Sequence, residues 1–390
     1  MIPYGRQDIS QEDIDKVVEV LKSDFLTQGP MVPKFEAAVS QGSQVEYAVA
    51  VNSATSALHI ACLALGVSPG DYVWTSPNSF VASSNCALYC GAKVDFVDID
   101  KDTYNISADA LEFKLEQAEK SGKLPKVVIS VHFAGQAPDL ERIFKLSKKY
   151  GFRIIEDASH AIGARYKEKP VGNCEYSDIT IFSFHPVKII TTGEGGMALT
   201  NDEKLYSKLY RLRSHGITRD VNQMVKLPHG PWYYEQIELG FNYRMTDIQA
   251  ALGYSQYTRL NEFVKKRHEI SDVYFDLFQN KPVILPKQMP DSYSAFHLFV
   301  LQLKLDELES SQTQIFERFR NSGILVNLHY IPIYRQPYYS NMGFKNEDFP
   351  NMEEYYSRAL SIPMYPGLSK DQQKEVAARL TTPIGHQTLF

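Results

Sequence analysis

The sequence predicts an α/β fold: a large three-layer α/β/α domain with a mostly parallel sheet, followed by a smaller α+β domain. Three observations point there. Short apolar runs alternate with helix-period segments from about residue 10 to about residue 215, the signature of strands covered on both faces by crossover helices. Near Thr246 helical periodicity takes over, and beyond Pro282 the segments are short and rich in Pro and Tyr (Tyr330, Pro332, Tyr334, Pro337, Tyr338, Tyr339). The 390 residues are enough for two domains.

The elements follow in order. Ser10 reads as a helix N-cap with Asp13 three residues on, and Ile14, Val17, Val18 and Leu21 recur at helical spacing. A second helix is expected to open near Pro33, a tolerated first-turn residue, and to run through Phe35 and Val39. Tyr47–Val51 is a short apolar strand, after which the small polar run 52–55 starts a helix over 57–65. The alternation continues with strand Tyr72–Thr75, helix 81–89 and strand 94–97. Strand Val127–Val131, helix Leu140–Tyr150 and strands 153–155 and 179–182 come next. Ile248, Leu252, Tyr254, Leu260 and Phe263 predict one long helix from Thr246 towards Leu277.

Composition narrows the function. A formal net charge of −5 gives no general attraction to nucleic acid or to an anionic membrane surface. Residues 1–15 lack a basic stretch followed by an apolar one, so no signal peptide is expected. The most apolar stretch, 57–67, is too short to span a bilayer and is interrupted by His59. A cytoplasmic location is the expectation. The four cysteines, Cys62, Cys86, Cys90 and Cys174, form no Cys-x-x-Cys pair; reduced, mostly buried thiols and no metal site are expected.

Polar residues cluster where strands end, which is where parallel sheets bind ligands. After the strand ending near Phe182 comes Ser183-Phe184-His185-Pro186-Val187-Lys188, then the tight turn Gly193-Glu194-Gly195-Gly196. Lys188 lies among Val187, Ile189 and Ile190; burial there lowers an amine's pKa and makes it a nucleophile, whereas a solvated surface lysine is the plain alternative. In Glu156-Asp157-Ala158-Ser159-His160 the strand delivers Asp157 to the sheet edge, where it either faces a cationic ring nitrogen or caps the next turn. Asn52-Ser53-Ala54-Thr55-Ser56 stands at a strand-to-helix junction, suited to a phosphate or to ordinary capping. Phe80, in Asn78-Ser79-Phe80, either stacks on a planar ligand or packs in the core. Gly240-Phe241-Asn242-Tyr243-Arg244-Met245 places two polar side chains in a turn.

Taken in this order, the motifs resemble the DegT/DnrJ/EryC1/StrS sugar aminotransferases, enzymes of pyridoxal 5′-phosphate (PLP) fold type I. The resemblance runs from Leu26-Thr27-Gln28-Gly29 to Ile362-Pro363-Met364. It implies that Lys188 holds PLP as a Schiff base and moves protons, that Asp157 pairs with the ring nitrogen, and that Thr55, Ser56 and Ser183 hold the phosphate. Phe80 is then expected on the ring, His160 beside it, and Asn242 at the phosphate of a partner subunit in a homodimer with shared sites. Substrate contacts are expected at Tyr4, Asp24, Phe25, Leu26, Thr27, Ala54, Asn327, Leu328, His329 and Tyr330. The chain divides accordingly into an N-terminal segment 1–30, a PLP-binding domain 31–245 and a long helix with the small domain, 246–390.

Loop sequences sharpen the resemblance. Residues 213–219, 230–235 and 329–334 are similar to those of the family members that aminate C4 of a UDP-linked 4-keto sugar in pseudaminic acid biosynthesis, with glutamate as donor. The resemblance implies two half-reactions, glutamate giving up its amino group and the keto-sugar receiving it. The alternatives are amination at C3, a thymidine-linked sugar, and a PLP-binding protein without turnover. A related dehydrase branch carries His where this chain has Lys188. His185 and His215 are expected to order loops, and Arg219 and Arg244 to meet phosphates or carboxylates or to form surface salt bridges.

Overall fold

The N-cap expected at Ser10 forms in the computed structural model, which describes residues 1–380. Ser10 Oγ accepts from Asp13 N and the Asp13 carboxylate accepts from Ser10 N, opening α1 (Gln11–Leu21). α2 (Met31–Ser43) starts slightly before Pro33, which still lies in the first turn. β1 (Tyr47–Val51), α3 (Ala54–Ala64), β2 (Tyr72–Thr75), α4 (Ala82–Tyr89) and β3 (Lys93–Phe96) fall within a few residues of expectation. α5 (Ala108–Ser121) is an addition; its buried Leu111, Leu115 and Ala118 and its Ser107 N-cap are the local signal for it. β4 (Val127–Val131) and α6 (Leu140–Tyr150) match, and β5 (Arg153–Asp157) runs on to Asp157. After a small hairpin, β6 (Arg165–Tyr166) and β7 (Lys169–Pro170), come β8 (Ile179–Ser183), β9 (Gly196–Thr200) and α7 (Glu203–Arg213). The last two are also additions. β10 (Ile217–Thr218) pairs with β11 (Glu235–Gln236).

The single long helix expected from Thr246 is two helices, α8 (Asp247–Thr258) and α9 (Leu260–Phe278). Arg259 breaks them: its φ of −101° and ψ of 6° leave the helical region. Its guanidinium is held by Asp8 at 2.9 Å and by Asp13 at 2.7 Å. A tertiary anchor thus overrides a continuous apolar pattern.

In the seven-stranded sheet, of order β1-β9-β8-β5-β4-β2-β3, the pairs β2/β3, β2/β4, β4/β5 and β5/β8 are parallel, and β9 alone runs against its neighbours. One face, with Val51, Ile129, Ile155, Ile181 and Ala198, packs on α3, α4 and α7. The opposite face packs partly on α2 and α9, where Phe35, Val39, Phe263 and Val264 meet Phe182 and Met197. The rest of that face, at Trp74, Val128 and Ile154, packs on α5 and α6. Each fully buried aliphatic side chain contributes roughly 1.5–3 kcal/mol.

A second core surrounds the antiparallel sheet of β12 (Val283–Ile284), β14 (Phe299–Leu303) and β15 (Ala359–Ile362), while β13 (Ser292–Tyr293) joins the small hairpin at β6. Four helices complete this part: α10 (Gln312–Asn321), α11 (Pro337–Ser340), α12 (Pro350–Arg358) and α13 (Lys370–Arg379). Its core takes Ile270, Tyr274 and Phe278 from the second half of α9, so that α9 belongs to both cores. The N-terminal segment is stitched here too: Ile2 N donates to Gly323 O at 2.7 Å and Met364 N to Tyr4 O at 2.9 Å. Residues 381–390 of the division drawn from sequence lie outside the described residues. Among the described residues no helix is long and apolar enough to cross a membrane.

One glycine closes the sheet's upper edge. A Cβ on Gly196 would lie 2.5 Å from Ala54 N and 2.6 Å from Ser53 C, backbone atoms that cannot step aside. Gly196→Ala is expected to cost about 1–3 kcal/mol, read as a lowered thermal midpoint, because the start of α3 must move away.

Candidate active site

Strand register assembles the site. Ser183 at the end of β8 pairs with Gly196, and Gly196 pairs with Val51, the last residue of β1. The chain turns from Val51 into α3 at this point, so Ser183 faces the helix N-terminus. Ser53 Oγ caps α3 by accepting from Ser56 N at 3.1 Å. The first-turn N–H groups of Ala54 and Thr55 have no helical acceptor and carry the positive end of the helix dipole. With the Ser183 and Thr55 hydroxyls they form a cradle for a phosphate.

β5 ends with two carboxylates on opposite faces. Glu156 points away, its Oε2 lying 2.9 Å from buried His132 Nε2. Asp157 points into the site. Its Oδ2 accepts from Ser83 Oγ at 2.6 Å, and its Oδ1 from Ser159 Oγ at 2.6 Å and Ser159 N at 3.2 Å. It is buried and joins no ion pair among the described residues. A buried carboxylate held only by neutral donors is suited to a cationic partner supplied by a ligand.

Lys188 reaches the same cavity from the loop after β8, its N–H anchored on His185 O at 2.9 Å. Among the described residues its amine makes no hydrogen bond and no ion pair. Burial lowers its pKa from 10.5 to about 8, against the opposing pull of Asp157. Roughly a tenth to a fifth of this amine is therefore neutral near physiological pH, far more than for an ordinary lysine.

Histidines form the far wall. His160 Nδ1 accepts from Ala134 N at 3.3 Å, so in the neutral ring Nε2 carries the proton and donates to Tyr330 Oη at 3.1 Å. The Tyr330 hydroxyl proton is thereby left to point elsewhere. Burial, and next the charge of Lys188, hold His160 well below its ordinary pKa and His329 down to about 3. Asn327 Nδ2 lies 3.3 Å from His329 Nε2, and Ser361 Oγ 2.8 Å from Nδ1. The Tyr4 ring lies 5.6 Å from that of His329.

These groups surround a cavity of about 580 Å³, lined by Tyr4, Ala54, Thr55, Phe80, Asp157, His160, Ser183, Lys188, Asn327, Leu328, His329 and Tyr330 among the residues expected from sequence. Phe80 is 61% exposed, leaving its ring free to cover a flat ligand. Other expected residues are not brought there. Ser56 stands behind the cap, its Oγ donating to Asn52 Oδ1 at 2.7 Å and its N–H bound to Ser53. Asp24, Phe25, Leu26 and Thr27 are exposed outside the cavity. The following turn is pinned to the start of α8, with Asp247 N on Leu26 O and the Asp247 carboxylate on Gly29 N and Met31 N. Asn242 is exposed and bridges to Ser214. Sequence reasoning passed over Ser83 and Ser159 as holders of Asp157, and His297 and Glu194 as lining residues. Only Ser159 left a signal, the short Asp-x-Ser turn.

The cradle, the unpaired carboxylate and the free amine converge on one cavity, a donor set that fits PLP: a phosphate, a protonated ring nitrogen and an aldehyde. Residues 7–381 match the DegT/DnrJ/EryC1/StrS aminotransferase family. The chain belongs to this family. Such aminotransferases are PLP-dependent, and PLP is the cofactor of this enzyme. The aminotransferase is 38% identical over 378 residues to the UDP-4-amino-4,6-dideoxy-N-acetyl-beta-L-altrosamine transaminase of Campylobacter jejuni, covering 96% of each chain. It superposes on Helicobacter pylori PseC, an aminotransferase involved in pseudoaminic acid biosynthesis, with a TM-score of 0.88 and 31% identity over 97% of this chain and 98% of that one. The PLP form of the putative sugar aminotransferase Spr1654 of Streptococcus pneumoniae gives a TM-score of 0.85 at 28% identity, over 98% and 100% of the two chains.

Proposed function

We propose that this aminotransferase moves the amino group of glutamate to the C4 keto group of a UDP-linked 4-keto-6-deoxy-N-acetylhexosamine in pseudaminic acid biosynthesis. The observation that carries the chemistry is the Lys188 amine and the buried Asp157 carboxylate facing one cavity beside a phosphate cradle. Likeness to the Campylobacter jejuni transaminase supports the substrate.

When bound, PLP supplies an electron sink that lets a proton leave the carbon bearing the amino group. Ala54, Thr55 and Ser183 hold the phosphate, and Ser56 serves through the cap of α3. Asp157 keeps the ring nitrogen protonated, Phe80 covers the ring, and His160 orients the Tyr330 hydroxyl. Lys188 anchors the cofactor and, once released, takes the proton from glutamate's Cα and later returns one to C4 of the sugar. Tyr4, Ala54, Asn327, Leu328, His329 and Tyr330 border the sugar. Asp24, Phe25, Leu26, Thr27 and Asn242, exposed in one chain, meet the site of the second subunit in a cytoplasmic homodimer; the half-exposed Phe25 and Leu26 are apolar surface suited to such a contact.

Incubation with glutamate and UDP- or thymidine-linked 4-keto sugars, followed by mass spectrometry, tests the substrate. Amination of the UDP sugar is expected; conversion of only the thymidine sugar, or of neither, overturns the assignment. The lowered Lys188 pKa gives a second expectation. Only the neutral amine captures PLP. The capture rate of cofactor-free enzyme should therefore rise with pH, pass half its maximum near pH 8 and level off above it, where an ordinary lysine would reach half its maximum only near 10.5. Stopped-flow absorbance reads it.

A further inference from the structure

His297 lies in the cavity wall with its hydrogen-bonding capacity unused. It is buried, 4% exposed, and no described residue bonds either ring nitrogen; Nδ1 is fully enclosed. Its ring stands 4.3 Å from that of His160, inclined at 47°. The backbone is fixed from two sides. The buried Arg267 guanidinium, which has no carboxylate partner among the described residues, donates to Phe296 O at 3.1 Å, His297 O at 3.2 Å and Met364 O at 3.1 Å. Gly135 presses so closely from the other side that a Cβ there would lie 3.0 Å from His297 N.

A buried imidazole with no partner is unfavourable unless a ligand supplies one. Here the ring is neutral: burial lowers its pKa well below the ordinary value, and His160, Lys188, Arg267 and His329 all act in the same direction. With Nδ1 enclosed, Nε2 is the nitrogen a ligand can meet, as a donor or an acceptor according to the tautomer. That matches a hydroxyl, amide or carbonyl, whereas a carboxylate such as those of glutamate is better met by a cation.

We propose that His297 is a specificity-determining residue that binds an uncharged polar group of the amino-accepting sugar, in the cavity that Lys188 also lines. This rests on the sugar aminotransferase reading, and it predicts different consequences for the two half-reactions.

His297→Phe keeps a ring and removes both nitrogens; His297→Asn keeps a donor and an acceptor and covers the case in which the Phe variant folds poorly. Each half-reaction is followed separately by cofactor absorbance, with whichever nucleotide keto-sugar the wild-type enzyme converts, so a wrong sugar assignment stays distinguishable. In His297→Phe the glutamate half-reaction is expected to stay within about twofold, and the sugar half-reaction to slow by roughly tenfold or more. His297→Asn should recover part of that loss. Calorimetric affinity for the amino-sugar product should fall in parallel. Equal slowing of both halves, no slowing of either, or loss of cofactor with the sugar step intact overturns the proposal.

Discussion

Lys188→Ala is expected to abolish amino transfer, with kcat down by at least ~10³-fold, and borohydride should no longer fix PLP to the chain. Lys188 has two tasks, anchoring the cofactor and carrying the proton, and no neighbour can assume either. Among the imidazoles on the cavity wall, His160 is bonded at both nitrogens, His297 is held well below its ordinary pKa by burial, and His329 is held down to about 3. A histidine with so low a pKa is too weak a base to take a Cα proton at neutral pH. The fold should survive, because the amine makes no bond among the described residues and its removal leaves no partner stranded. Residual PLP affinity is expected through the phosphate cradle, measurable by equilibrium dialysis. An alanine variant turning over at the wild-type rate would remove Lys188 from the mechanism.

Asp157→Asn should lower kcat by about 10²–10⁴-fold while leaving the thermal midpoint of the cofactor-free protein nearly unchanged. The substitution keeps shape and removes charge. Ser83 and Ser159 hydroxyls can rotate to meet an amide, so the local bonds persist. The carboxylate itself forms no ion pair among the described residues, and losing a buried charge of that kind is not destabilising by itself. Its contribution is to a ring nitrogen that must stay protonated. The test is the contrast: a large loss in rate with thermal unfolding unmoved. Equal damage to both would make Asp157 a structural residue.

Some of this was readable in the chain. Lys188 and Asp157 stand out because each follows an apolar strand, and strand ends are where a parallel sheet presents polar groups. The Ser10 cap and the run from Ser53 to Thr55 are local chemistry and formed as local rules require. Other features were invisible. Ser83 meets Asp157 across 74 residues, and nothing near Ser83 announces it. His297 reads as one histidine between Phe296 and Leu298. The break at Arg259 interrupts an apolar pattern that, taken alone, continues; its cause is the distant Asp8 and Asp13.

By itself the sequence determined where strands and helices alternate, which polar residues stand at strand ends, and the kind of chemistry that a lysine, a carboxylate and a small hydroxyl cluster can perform together. Those are matters of periodicity and side-chain type, settled within a few residues. Only the tertiary structure decided that these groups share one cavity, that burial lowers the Lys188 pKa to about 8, that His160 Nε2 donates a hydrogen bond to Tyr330, and that the His297 ring bonds none of the described residues. Burial and charge are sums over atoms from every part of the chain, and they take values only once the chain has closed on itself.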